Sequence, residues 1–437
     1  MKIKNYKQIA LTEPRRTLLS IIEAGLESIE TKHVIEKSVR VENNALVVNE
    51  TVTPLKEDGV TLVAIGKCAL DAATALEPML GKYLKNGIVL DIRDSKEASF
   101  KKLEYLQGTH PMPSEANVAA TKKILELLKN KTENDVVLFV ISGGGSTLLS
   151  APLEGITAAD ETALMKLLFK KGATIQEINA IRKHSSYARG GNLAKEAYPA
   201  KVISLIFSDV PGNDINVISS APTVEDETSV KDAEKILKKY DCLKELNKDE
   251  YPLTETPKES KYFENVSNIL LVSNETALNA MAEKAKEHSL EVEIRETALI
   301  GEARKVAANI AKEIRKADLG KVLLYGGETT VTIKGKGRGG RNQELTLAAL
   351  KEVNGGEVIA SIASDGRDNG EFAGAIADEF GRKKAEEKGL DIKAYLEEND
   401  ATSFFEQSGD YILTGATGTN VSDITIALKV VSRNNGE

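Results

Sequence analysis

The sequence predicts a water-soluble α/β protein of more than one domain, and three observations carry that reading. At 437 residues the chain is longer than one ordinary hydrophobic core organises, so two or three domains are expected. Short apolar runs, each followed by a glycine-rich or charged turn and then a helical pattern, recur along it; such alternation implies a parallel sheet covered on both faces. Hydrophobic residues make up 41% and charged residues 28%, the balance of a soluble globular protein.

The elements follow in order. Leu18, Leu19, Ile22 and Leu26 lie at helical spacing over residues 15–29, after Pro14 at a first-turn position. Strands are then expected at 61–65 (TLVAI), 86–90, 135–141 (DVVLFVI) and 201–207 (KVISLIF). From about 226 the pattern shifts to a Lys/Glu-rich helix over 230–246. Residues 251–264, with two prolines and few apolar residues, read as a linker or surface excursion. A second α/β block alternates strands at 268–272, 292–296, 321–325 and 358–363 with helices at 275–288, 302–316 and 342–353. A further strand is expected at 330–334, ahead of a basic loop.

Several classes are disfavoured. No run approaches 18 consecutive apolar residues, so no membrane span is expected. A net charge of −8 argues against a nucleic-acid partner. Cys68 and Cys242 make no disulfide framework and residues 1–16 lack a signal-peptide core, so the cytoplasm is the expected compartment. No His/Cys/carboxylate grouping has zinc spacing, and there is no GxSxG elbow.

The chemistry-bearing clusters all follow expected strands, at the sheet edge where ligands bind in open parallel sheets. Ser142, Gly143, Gly144, Gly145 and Ser146 form a loop whose amides can approach a phosphate or carboxylate; no Gly-Lys-Ser/Thr ends it, so it is no Walker A loop. Lys67, after Gly66, is either a point charge for a phosphate or a surface lysine. Residues 335–341 (GKGRGGR) formally contain GxGxxG. Their basic residues, Arg338 and Arg341 among them, suit a flexible loop around an anion better than a dinucleotide turn. The acidic turns 208–214, with Asp209 and Asp214, and 364–370 would either hold Mg²⁺ or cap turns. His110, between Gly108 and Pro113, sits on a rigid loop of no derivable purpose.

The ordered segments GTHPMPSEAN, VISGGGSTLL, EINAIRKHSS, SDVPGNDINVISSAPT, GGETTV, GKGRGGRNQEL, SDGRDN and GATGTNVSDI resemble the glycerate 2-kinases of the MOFRL class over nearly the whole chain. The resemblance implies a Rossmann-like N-terminal domain (1–228), a connecting helix and linker (229–265) and an α/β MOFRL domain (266–437). The last strand is allowed to pack back on the first domain, and the active site is implied to lie in the cleft between domains. It implies ATP-dependent phosphorylation of D-glycerate to 2-phosphoglycerate with Mg²⁺ or another divalent ion, by a monomer or homodimer. By position it implies Lys67 and Arg341 as essential residues; Asp209 falls in a matching motif and is expected to act in catalysis, with Mg²⁺ on the ATP phosphates expected near Asp209 or Asp214. Arg182, Glu328, Arg338 and Asn342 join the glycine loop as substrate- or phosphate-binding candidates. Gly is usual where Ala221 stands and Asp where Asn213 stands, which weakens a metal role for that loop. The rival reading is a hydroxypyruvate reductase using a nicotinamide cofactor.

Overall fold

The computed structural model describes residues 1–430 other than Ser95 and Glu97. It divides into two compact units. The first comprises residues 34–208 and 213–271; the second comprises residues 1–33, 209–212 and 272–437.

In the first unit a small antiparallel sheet of β1 (Val39–Glu42), β2 (Ala45–Val48) and β3 (Thr51–Pro54) precedes the main one. The main strands are β4 (Val60–Ile65), β5 (Leu84–Asp91), β6 (Leu103–Gln107), β7 (Val136–Ile141), β8 (Lys201–Phe207) and β9 (Val266–Val272), in the order β6-β5-β4-β7-β8-β9. The pairs β4/β5, β5/β6, β4/β7 and β7/β8 are parallel. Every residue of β4 (VTLVAI) and β7 (VVLFVI) is buried, as expected of central parallel strands that read as near-continuous apolar runs. The chain winds outward from β4 through β5 to β6, then returns to β7 on β4's other side. The carboxyl ends of β4 and β7 therefore flank the point where the strand order reverses, and in this architecture ligands bind there.

Residues 229–265 are not a linker. The helix Val230–Lys239 buries Ala233 and Leu237 against Leu164, Leu168 and Ile178, and Cys242 and Tyr251 join the same core. The prolines at 252 and 257 belong to an extended segment tied down by Thr254, whose amide donates to the His184 carbonyl at 2.7 Å.

The second unit is built on a mixed sheet rather than a parallel one. Its strands are β10 (Glu291–Leu299), β11 (Lys321–Gly327), β12 (Glu357–Ala363), β13 (Gly374–Asp378), β14 (Tyr411–Ile412) and β15 (Asp423–Lys429), ordered β10-β11-β15-β12-β13-β14. β15 lies between β11 and β12, antiparallel to both, and does not pack back on the first unit's sheet. Residues 331–334 form no strand: Ile333 is exposed, and the alternation of VTIK finds no neighbouring strand to pair with.

Residues 1–33 belong to this unit and not to the first, as the boundary at 228 had implied. The amide of Lys4 donates to the Leu413 carbonyl at 2.7 Å. In the helix Glu13–Ser28, Gly25 lies so close to the helix Asn274–Glu287 that an added Cβ would come within 2.7 Å of Met281 Cγ. Arg15, fully buried, forks onto Asp378 (2.7 and 2.6 Å) and reaches Asp410 (2.7 Å), which also accepts from Lys384. Removing one partner of a buried ionic network leaves the others uncompensated and typically costs about 3–5 kcal/mol. Arg15→Ala is therefore expected to lower the thermal unfolding midpoint markedly in calorimetry; an unchanged midpoint would mean that the network adds nothing to stability.

Candidate functional site

In the first unit the reversal point gathers four groups. Gly66 and Lys67 follow β4, and the loop 142–146 follows β7. The Lys67 amide donates to the Gly143 carbonyl at 2.9 Å, and Ser142 Oγ donates to the Ile65 carbonyl at 3.2 Å, so the two turns are laced together. Gly66 has φ 118°, and a Cβ there would sit 2.1 Å from Ser142 Oγ, so only glycine fits this approach. Ser142 is buried and held by these contacts, which gives it a structural place rather than a ligand-facing one. Gly143 and Gly144 donate to no other backbone group among the described residues. The helix that follows, Gly145–Leu148, is a single turn, so its dipole adds little and the loop amides themselves are what an anion would meet. Ser146 Oγ accepts from Ser220 Oγ at 2.9 Å.

The third group is His110, which sequence reasoning left without a purpose. Asn117 clips its loop in place, donating to the carbonyls of Thr109 (3.0 Å) and Thr147 (3.1 Å). The imidazole then lies against Gly144, where an added Cβ would stand 3.3 Å from His110 Cδ2 and 3.5 Å from Lys67 Cγ. The residue as a whole remains exposed. Partial enclosure first, then the charges of Lys67 and Arg182, push its pKa down to about 4, so near neutral pH it is an uncharged hydrogen-bonding group. The fourth is Arg182, on the helix Ile175–His184, which has neither a hydrogen bond nor a salt bridge among the described residues. Burial, then the charge of Arg189, brings its pKa down to about 10.

The departures at 213 and 221 concern the backbone. Asn213 and Ala221 have φ of 56° and 54°, in the left-handed region where glycine, and next to it asparagine, sits with least strain. Asp214 Oδ1 accepts from the amide and the side chain of Asn216 (2.9 and 3.0 Å), capping its own turn. Asp209 falls in the second unit, where its Oδ2 accepts from Asn420 at 3.2 Å and its carbonyl from Ser422 at 2.6 Å.

In the second unit the carboxyl ends of β11 and β12 flank the start of β15, which places Asp423 between them. Arg341 opens the helix Arg341–Glu352 and forks onto Asp423, Nε to Oδ2 at 2.5 Å and Nη2 to Oδ1 at 3.0 Å; Nη2 also lies 3.0 Å from Glu328. Burial pushes the Asp423 carboxyl up to about 7; the Arg341 fork opposes this and the Glu328 charge adds to it. Asn342 is buried, donating to Asp368 (3.1 Å) and accepting from Ser361 (2.6 Å), so it supports the site from behind. Asp368 accepts from the amides of Asn342 and Gln343 (3.0 and 2.8 Å), which resolves the second acidic turn as a helix cap.

The basic loop packs closely on its neighbours: a Cβ on Gly335 or Gly337 would come within 2.3 Å of Glu398 or Asp400, and the exposed Arg338 donates to Glu406 at 2.7 Å. Among the described residues no group of three or more His, Cys, Asp or Glu is placed to hold a metal ion.

Two family models match this chain, the domain of unknown function DUF4147 over residues 17–250 and the MOFRL family over residues 321–423. A D-glycerate 2-kinase of Thermotoga maritima is 38% identical, over 91% of this chain and 97% of its own length. This chain belongs to the glycerate 2-kinases of the MOFRL family. A putative hydroxypyruvate reductase of Agrobacterium vitis is 35% identical, over 95% of this chain and 94% of its own length. The crystal structure of a Thermotoga maritima glycerate kinase superposes with a TM-score of 0.84 at 34% identity, covering 95% of this chain and 99% of that one. Against this family background, sequence reasoning missed His110 and Asp423. A lone histidine ahead of two prolines carries no pattern, and Asp423 becomes legible only once β15 is known to sit between β11 and β12.

Proposed function

We propose that this chain transfers the terminal phosphoryl group of ATP to the C2 hydroxyl of D-glycerate, giving 2-phosphoglycerate and ADP. The observation that carries the reading is the cluster at the first unit's reversal point, where Lys67, two glycine amides, neutral His110 and the unpartnered Arg182 converge. Phosphoryl transfer asks a protein for alignment and charge neutralisation rather than covalent chemistry. Lys67 and the amides of Gly143 and Gly144 would hold phosphate oxygens. Arg341 would bind the glycerate carboxylate or the transferring group, oriented by Asp423 and Glu328. The P–O bond to the leaving diphosphate breaks as the C2 oxygen bonds to phosphorus, and the hydroxyl proton leaves to a nearby carboxylate or to water; a loose transition state needs no strong base. A divalent ion riding on the nucleotide, with Asp209 or Asp214 beside it, would supply further neutralisation of phosphate charge. No helix among the described residues is long and apolar enough to cross a membrane, and a cytoplasmic monomer or homodimer is the state we expect.

The reductase reading meets an obstacle at β5. A dinucleotide-binding unit uses a free acidic side chain near the end of its second strand to hold a ribose. Asp91 stands at that place, but it is fully buried. Its Oδ1 accepts from the amides of Ile92 and Arg93, and its Oδ2 from the Leu70 amide and Arg93. Purified protein given D-glycerate and MgATP should form 2-phosphoglycerate, read by phosphorus NMR. Formation of 3-phosphoglycerate alone would reject the assignment of the hydroxyl, and oxidation of a reduced nicotinamide by hydroxypyruvate would favour the reductase.

A further inference from the structure

Behind Ser146 the first unit holds a small cavity whose walls include Ser146, Glu161, Arg182, Ser185, Arg189 and Tyr251. It has room for the centre of one water-sized group, about 10 Å³. Its charges do not balance. Arg189, 1% exposed, gives Nη1 to Glu161 at 2.6 Å and leaves Nε without a partner. Glu161 is held by that arginine and by Ser150, which donates to its other oxygen at 2.5 Å. Burial alone would raise its pKa, but the Arg189 charge holds it below the usual range, so it stays an anion. One carboxylate thus faces two guanidinium groups, and Arg182 forms no ion pair of its own among the described residues. The Tyr251 hydroxyl, beside Ser185, is also buried without a hydrogen bond of ordinary geometry.

A buried surplus of positive charge, together with unpaired donors, is stabilised by an anion. The planar fork of arginine matches a carboxylate in two places, and a space one group wide admits one carboxylate oxygen but not a phosphate. We propose that this cavity and its mouth are the subsite for the carboxylate of the hydroxy-acid substrate. Arg182 grips the carboxylate at the mouth, and one oxygen enters the cavity to meet Arg189 Nε and the Tyr251 hydroxyl. The proposal rests on the glycerate kinase reading and assigns to the first unit the carboxylate contact that Arg341 was otherwise free to make. It also sets specificity. The α-carboxylate must be free, because a methyl ester would neither satisfy Arg182 nor fit the cavity.

Kinetics and titration calorimetry on the full chain test this. Arg182→Gln and Tyr251→Phe should each raise the KM for D-glycerate, Arg182→Gln by roughly ten- to a hundredfold and Tyr251→Phe by several-fold, while the KM for ATP stays within about threefold. Arg182→Gln should also narrow the preference for D-glycerate over its methyl ester, and Arg182→Lys should recover part of the loss. Removing a cation that has no partner relieves repulsion from Arg189, so the variants should fold, which circular dichroism checks. A rise in the KM for ATP instead would make this a nucleotide subsite and overturn the proposal. Unchanged D-glycerate kinetics in Arg182→Gln, beside a wild type that makes 2-phosphoglycerate, would also overturn it, with the kinase reading intact. Calorimetric binding of D-glycerate that Arg182→Gln abolishes, without any phosphorylated product from the wild type, would uphold the subsite and overturn the kinase reading.

Discussion

Lys67→Ala should lower turnover by about a hundred- to a thousandfold while the protein stays folded. Losing one preorganised charge contact to a transition state typically raises the barrier by roughly 3–4 kcal/mol. The fold should survive because Lys67 is only half-buried, and its backbone link to Gly143 does not need the side chain. His110 provides a second readout of the same variant. Its ring is held near 4 by enclosure and then by the charges of Lys67 and Arg182, so with one charge gone it should titrate higher. Histidine NMR in wild type and variant measures this directly. Near-normal turnover together with an unmoved histidine would return Lys67 to the role of a surface lysine.

Arg341→Lys keeps the charge and should still impair the kinase by about a hundredfold, a barrier increase of roughly 3 kcal/mol. The guanidinium meets both oxygens of Asp423 and one of Glu328 at once, and an ammonium cannot reproduce that planar fork. Steady-state kinetics decide it. Full activity in Arg341→Lys would show that the fork has no part in catalysis.

How much of this was legible beforehand depended on whether a residue's partners were near it in sequence. The strands at 61–65, 135–141 and 201–207 were legible because all of β4 and β7, and nearly all of β8, are buried, and burial on both faces demands unbroken apolar runs. The convergence of Lys67 with 142–146 followed from reading both as turns after parallel strands. Residues 330–334 misled because alternation records which side chains suit a strand, not whether a neighbouring strand is available. The linker at 251–264 misled because Pro252 and Pro257 rule out a helix without ruling out a packed extended segment. The helix Glu13–Ser28 was found, but its unit was not, since Arg15 meets Asp378 and Asp410 more than 360 positions later. Asp423 was invisible for the same reason. Its burial comes from two strands that precede it by about 60 and 100 positions, and local composition records neither.

The central place of β15 has a consequence for how the protein is made. Residues 423–429 pair on one side with 321–327 and on the other with 357–363, so β11 and β12 have nothing to bridge them until that segment has emerged from the ribosome. The nascent chain must carry two apolar strand edges, with the first helix still waiting for its partners, through the synthesis of roughly a hundred further residues. Exposed edges of this kind pair readily with other chains. The first unit is complete by residue 271 and is under no such delay. Ribosome-stalled chains ending before residue 420 should therefore present a protease-resistant first unit and an unprotected remainder, and it is this remainder that would engage holding chaperones during translation.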